Sequence, residues 1–268
     1  MKRLLLAIAV LAVAVAACQP AAAPTTTNEA STTATASEAA REATLTVQPT
    51  APYIVAAIAD THRPTADRDR DAARHPADIL AFASVAPGQK IGELLPGEGY
   101  FTRLFSDAVG ARGRVYPISR TAHDQYEHTV LVGTANVTNV VAPYTSFTLP
   151  EPADLIFTAQ NYHDFKITQY GMGDTMALNR AAFAALRPGG WYVIVDHSAT
   201  AGSVMDQVHP LHRIDQDVVR REVESVGFVY DGETQILRNP ADPRTASVFD
   251  PSIRGHTDQF VMRFRKPG

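Results

Sequence analysis

Two polar clusters interrupt apolar runs in the second half of the chain, and they hold the side chains best suited to chemistry. Gln160-Asn161-Tyr162-His163-Asp164 follows the run from Ala153 to Thr158, and Asp196-His197-Ser198 follows Trp191 to Val195. Histidine titrates near neutral pH, so beside a carboxylate it suits general-base work on a nucleophile that carries a proton. His163 next to Asp164, and His197 next to Asp196, have that composition. A third cluster, His212-Arg213-Ile214-Asp215, reads either as the far wall of such a site or as a helix start capped by Asp215. Brought together, His163, Asp164, Asp196, His197 and His212 would offer donors to zinc or iron. No H-x-x-x-H or H-E-x-x-H spacing supports a metal centre, and none is expected. His123, His128 and His256 lack supporting neighbours and read as surface residues.

The element that must position these clusters is the stretch Lys90 to Ile118. Ile91, Leu94 and Leu95 follow the turn signal Pro87-Gly88 and suit a strand buried on both faces. Gly97 and Gly99 then permit a tight turn with bare main-chain amides, where a nucleotide-like ligand can meet a helix N-terminus. Phe101, Leu104, Phe105, Ala108 and Val109 recur at helical spacing, Gly110 and Gly113 stop the helix, and Arg114 to Ile118 begins a second strand. Further strands are expected at Val137–Val141, 153–158, 191–195, 228–237 and 260–264. Both polar clusters then fall at C-terminal strand ends, where open α/β sheets bind ligands. Helices are expected at 53–59, from Pro76, over 174–186 and after Asp215, whose Val219, Val223 and Val226 face inward. The stretch His62 to Pro76 alternates Asp and Arg at i+3 and i+4 spacing and reads as a solvated helix, near enough to the first strand to cap it. In the long last loop, Arg238, Asn239, Arg254 and Asp258 are candidates to pair with one another.

A formal net charge of −4 and 45% hydrophobic residues point to neither a nucleic acid nor another polyanion as partner. Lys2 and Arg3 precede an apolar run from Leu4 to Ala17, too short for a mature membrane span and built like a secretory signal. The run ends in V-A-A-C, which resembles the lipobox of bacterial lipoproteins. That resemblance implies signal removal after residue 17, lipid attachment at Cys18 and, with Gln19 next, an outer-membrane address facing the periplasm. From Gln19 to about Glu42 the chain is Ala, Thr, Ser and Pro, too poor in large apolar groups to offset its ordering entropy. The expected organisation is therefore a signal over 1–17, a flexible tether over 18–44 and one domain with an N-terminal helical cap over 45–268.

Taken in order, E-L-L-P-G-E-G-Y-F-T (Glu93 to Thr102), D-L-I-F-T-A-Q-N-Y-H-D-F (Asp154 to Phe165) and L-R-P-G-G-W-Y-V-I-V-D-H (Leu186 to His197) form a recognisable set. With H-R-I-D-Q-D-V-V-R-R-E-V-E-S-V-G-F and R-N-P-A-D-P, it resembles a class I S-adenosylmethionine-dependent methyltransferase, and is most similar to a bacterial group that carries secretion signals. The resemblance spans Arg70 to Pro267. It implies a Rossmann-like α/β sandwich with a seven-stranded, mostly parallel sheet and an antiparallel last strand. It further implies bound S-adenosylmethionine, with Glu93, Gly97 and Gly99 on the family pattern and Glu98, Tyr100 and Asn161 expected beside them. The strand-end positions make His163, Asp164 and His197 the catalytic candidates and Tyr162, Asp196 and His212 the expected substrate pocket. Two positions depart from the family: Leu95-Pro96 replaces smaller residues in the turn, and Ser119-Arg120 stands where an acidic ribose ligand is usual. An NAD site fits less well, because Thr102 occupies the third glycine position of G-x-G-x-x-G. The activity implied is methyl transfer to a small-molecule acceptor at the envelope. The alternatives are a non-catalytic binding lipoprotein of the same fold and, behind it, a metal-dependent hydrolase.

Overall fold

A computed structural model of the chain describes residues 50–120 and 134–268. The expected signal, Cys18 and the tether lie outside the described residues, as do His123 and His128. Seven strands form one sheet: β1 (Lys90–Leu94), β2 (Arg114–Ser119), β3 (Val140–Val141), β4 (Ala153–Ala159), β5 (Leu186–His197), β6 (Val229–Thr234) and β7 (Gln259–Arg265). Their order is β3-β2-β1-β4-β5-β7-β6. All neighbours pair in parallel except β7, which runs antiparallel to β5 and to β6, as expected for the last strand. The switch point of the order falls between β1 and β4, where a crevice opens above the strand ends.

The helices are α1 (Pro52–Ala59), α2 (Thr65–Arg68), α3 (Asp71–Arg74), α4 (Pro76–Phe82), α5 (Tyr100–Val109), α6 (Thr175–Ala185), α7 (Val208–Leu211) and α8 (Gln216–Ser225). None of the described helices is long and apolar enough to cross a membrane. Side chains alternate across a strand, so β4 sends Leu155 and Phe157 to one layer and Ile156 to the other. The first layer joins them to α1, α4 and α5 through Ile54, Ile79, Leu80, Phe101, Leu104 and Phe105. The second joins Ile156, Tyr192, Ile194 and Phe264 to α6 and α8 through Leu178, Val219 and Val223. Gly92 in β1 has a packing reason: a Cβ there would lie 2.6 Å from Ile156 Cδ1.

Several boundaries differ from the sequence reading. β5 begins at Leu186, so the Arg187-Pro188-Gly189-Gly190 segment is drawn into the strand by the pairing of Leu186 with Ala153. β6 ends at Thr234, and 235–237 form a turn in which Arg238 N–H donates to Gln235 O. Leu95 leaves the first strand at φ 47. The alternating Asp and Arg stretch is two short helices, with Arg63 and Asp67 buried at 2% and 3% exposure. Arg63 pairs with Asp71 eight residues on, and Asp67 and Asp71 reach Arg103 and Tyr100 of α5, partners that i+3 and i+4 spacing does not encode.

Candidate functional site

The turn after β1 is built by left-handed backbone at Leu95, Gly97 and Gly99, with φ of 47, 57 and 78. Leu95 turns its side chain to the apolar layer that holds Ile118 and Tyr162, and its N–H donates to Ile118 O. Leu95 and Pro96 thus border a hollow of about 300 Å³ without filling it, together with Glu93, Gly97, Glu98, Tyr100, Phe101 and Asn161. At Gly97 nothing lies within 4 Å of where a Cβ would sit, so main chain faces open space. Glu93 is buried at 4% exposure and accepts from Thr102 Oγ1 at 2.5 Å. Asn161 braces the turn from β4: its Nδ2 donates to Leu95 O at 3.0 Å, and its Oδ1 accepts from Thr158 Oγ1. Five of the six residues expected at a cofactor, Glu93, Gly97, Glu98, Tyr100 and Asn161, therefore border one hollow, while Gly99 is buried in the turn behind it. At the end of β2, Ser119 is buried and Arg120 Nη1 donates to Tyr170 O at 2.5 Å.

The N-terminal helices lie against this turn. Arg63 forks onto Asp71 at 2.8 and 2.7 Å, and the Tyr100 hydroxyl donates to the same carboxylate at 2.6 Å. Asp67 accepts from Arg103 Nε at 2.7 Å, joining α2 to α5. Arg74 crosses the hollow with its Cζ 4.6 Å from the Tyr100 ring centroid and donates to Gln160 Oε1 at 2.7 Å. Burial and the neighbouring Arg70 push Arg74 down to about 10. These cap residues were not singled out as ligands by the sequence; the density of Asp and Arg before β1 was the only signal. Asp71→Ala leaves the Arg63 guanidinium, 1% exposed, without its carboxylate and with only Ile58 O to accept from it, and is expected to lower stability by about 2 to 3 kcal/mol in urea unfolding. Asp71→Asn should recover part of that loss, since an amide oxygen still accepts.

The second cluster forms where β4 and β5 end. Gln160 has φ 63, and Tyr162 begins a 3-10 turn over His163–Lys166. His163 is buried at 2% exposure; its main-chain N–H and its Nδ1 meet the two oxygens of Asp196 at 2.7 Å each. His163 Nε2 lies 3.1 Å from His212 Nδ1, and His212 Nε2 lies 3.3 Å from the Tyr170 hydroxyl. Asp164 Oδ1 is 3.2 Å from His163 Nε2 and 3.4 Å from His212 Nδ1. Burial works against protonation of His163, but Asp196 and Asp164 outweigh it and raise the ring to about 10. Two expected pocket residues are corrected here. Tyr162 is fully buried, its hydroxyl donating to Glu222 and accepting from Asn179, because the turn rotates it into the apolar layer. Asp196 is likewise at 0% exposure and stands behind His163 instead of lining a pocket. Asp215 is the helix cap, accepting from Asp217 N–H at 2.9 Å, while His212 joins the cluster.

His197 Nδ1 lies 2.7 Å from Thr257 Oγ1, and the two border a second hollow of about 390 Å³ with Arg70, Arg74, Gln160, Phe249 and Arg254. Burial, aided by His163, Arg213 and Arg74 and opposed by Asp196, pushes His197 down to about 4. The unfolded ring takes its proton near 6.5, so this histidine favours the folded state above that pH and loses the contribution as pH falls through 4. The difference in unfolding free energy between the parent chain and His197→Gln should therefore shrink between pH 7 and pH 4, which urea titrations at both values can check. Among the other expectations, Asp258 accepts from Arg238 and from Asn239 N–H, whereas Arg254 turns to the hollow.

Neither a family model nor any curated protein matches the sequence. Solved structures do match. An S-adenosylmethionine-dependent methyltransferase from Aquifex aeolicus aligns with 70% of this chain and 87% of its own at TM-score 0.51 and 16% identity. A proposed methyltransferase from Bacillus halodurans aligns with 72% and 98% at TM-score 0.52 and 15% identity. A proposed sarcosine dimethylglycine methyltransferase from Galdieria sulphuraria aligns with 75% and 85% at TM-score 0.53 and 13% identity. At such identities the likeness speaks for backbone architecture alone. The strand order, the antiparallel last strand and the glycine turn agree with it: this chain carries the fold of the class I S-adenosylmethionine-dependent methyltransferases.

Proposed function

We propose that the chain transfers a methyl group from S-adenosylmethionine to a small-molecule acceptor, and that it works at the cell envelope, tethered by a lipid on Cys18. One observation carries the catalytic reading: the hollow at the glycine turn adjoins the hollow at His197, and the two share Arg70, Arg74 and Gln160. A donor and an acceptor held in adjoining hollows meet the main demand of methyl transfer, which is alignment. Bare main chain at Gly97, the buried carboxylate of Glu93 and the side chain of Asn161 suit the amino-acid end of such a donor. Bound there, S-adenosylmethionine supplies an electrophilic methyl group on a sulfonium. His197, with Thr257 on its Nδ1, borders the acceptor's hollow and is the group placed to take the acceptor's proton. His163 and Asp164 support the same face. Arg70, Arg74 and Arg254 border that hollow and, among the described residues, no carboxylate does, which suits an acceptor bearing a carboxylate or phosphate.

A second reading, binding without catalysis, draws on the end of β2, where Ser119 and Arg120 replace an acidic ribose ligand and Arg120 is engaged with Tyr170. Calorimetry of the full chain with S-adenosylmethionine, S-adenosylhomocysteine and NAD separates the two. Binding of the first two and not the third is the expected result. A folded chain that binds none of them would end the methyltransferase reading and favour the second.

A further inference from the structure

His163 and Asp164 open the turn after β4, and His212 ends α7, so two unrelated segments deliver three potential ligand atoms to one point. The atoms are His163 Nε2, Asp164 Oδ1 and His212 Nδ1, separated by 3.1, 3.2 and 3.4 Å. Donors about 2.0 to 2.1 Å from a tetrahedral zinc stand about 3.3 to 3.4 Å apart, and octahedral neighbours stand slightly closer. The triangle has the size that a single transition-metal ion requires. From these atoms we infer a divalent transition-metal site held by His163, Asp164 and His212.

The proton accounting supports it. Nδ1 of His163 faces a carboxylate oxygen of Asp196 at 2.7 Å and keeps its hydrogen there, so the ring would bind an ion through Nε2, the ion displacing the proton held on that nitrogen. His212 has its Nε2 toward the Tyr170 hydroxyl, which leaves Nδ1 to point inward. Asp164 Oδ1 is buried and, among the described residues, has no well-formed hydrogen bond, only the ion-pair contacts to the two imidazole nitrogens at 3.2 and 3.4 Å. A proton between the two rings would satisfy only the rings; a cation at the centre takes both lone pairs and the carboxylate oxygen. Asp196 completes a carboxylate–histidine–metal arrangement, with both oxygens engaged by His163 and one of them also accepting from His197 N–H. His212 holds its ring inward from the left-handed backbone, φ 53 and ψ 47, with which it ends α7.

Two imidazoles and one carboxylate select zinc, iron(II) or manganese(II) over calcium and magnesium, which prefer all-oxygen shells. Asp164 and His212 keep 18% and 14% of their side chains exposed, so an open coordination position faces outward. Phe249 lies against the His212 ring at 4.8 Å and also borders the His197 hollow, which puts the site beside the acceptor's place. The inference stands whatever occupies the glycine-turn hollow.

The test uses the full chain, stripped with a chelator and titrated separately with zinc and with cobalt(II), whose visible absorption reports a bound ion. One equivalent per chain is expected, with affinity falling at least 10-fold in Asp164→Asn and in His212→Asn, the latter chosen because asparagine tolerates the left-handed backbone. Asp196→Asn should weaken binding by about 10- to 100-fold through the outer shell. His209→Gln, exposed on the same helix, should bind as the parent does. Circular dichroism checks that each variant is folded. Failure of the folded parent to bind either ion, or parent-like affinity in both ligand variants, would overturn the site.

Discussion

Replacing Arg213 with alanine is expected to lower stability by about 3 to 5 kcal/mol, because it strands a buried carboxylate without its cation. Arg213 and Asp242 both have fully buried side chains, bonded at 2.8 and 3.1 Å. The same guanidinium donates to Ala246 O at 2.9 Å and Ser198 O at 3.0 Å, so it ties the end of β5 to the long last loop. Asp242 also accepts from the N–H groups of Arg244 and Asp258. Burial alone would raise its pKa, but these N–H donors and Arg213 together hold it below the ordinary carboxylate value. A depressed carboxylate stabilises the fold above its unfolded pKa and loses that contribution as pH falls through the folded value. The gap between parent and Arg213→Ala should accordingly narrow in acid. Urea unfolding followed by circular dichroism at pH 7 and at low pH checks both statements. Arg213→Met with Asp242→Leu should recover only part of the loss: no charge is stranded, but the carbonyls of Ser198 and Ala246 and the N–H groups of Arg244 and Asp258 lose their partners. A loss under about 1 kcal/mol in the alanine variant would show the pair to be dispensable.

The second large effect concerns ligand affinity. Gly97→Val and Gly99→Val are each expected to weaken S-adenosylmethionine binding at least 100-fold, about 2.7 kcal/mol or more. Two causes act together. Valine at φ 57 or 78 carries backbone strain of about 1 to 3 kcal/mol. At Gly97 its side chain would also enter the open space where the ligand is to meet main chain. Gly88→Val is the control: Gly88 has φ 83 and nothing within 4 Å of its Cβ position, yet it lies in a turn away from the hollow. It should show similar strain in urea unfolding and leave calorimetric affinity unchanged. Equal loss of affinity in all three variants would mean that strain, and not contact at the turn, governs binding.

How far the site could be read in advance differs residue by residue. The glycine turn was legible because a strand, a required positive φ and a helix face all leave local marks within Lys90 to Val109. Asp215 was legible as a cap for the same reason, the N–H that donates to its carboxylate lying two residues away. Tyr162 was misplaced because the left-handed Gln160 breaks the side-to-side alternation that carries a prediction past a strand end. The cap charges were misread because i+4 spacing suggested local pairs, while Asp71 and Asp67 pair with Arg63 and Tyr100, and with Arg103. No sequence spacing joins His212 to His163, since their approach depends on how the segment after β5 folds back over the turn after β4.

Short-range physics therefore settled the elements: hydrophobic period, glycine conformation and capping act within a few residues and could be read in order along the chain. Their sequence also sufficed for the sheet's architecture, because buried parallel strands joined by helices have few ways to pack. Which polar side chains meet was decided only by tertiary structure. The cap over Tyr100, the hollow beside His197 and the triangle of His163, Asp164 and His212 all join residues far apart in the chain. Such meetings depend on differences of an ångström in how layers stack, and no local preference reports them.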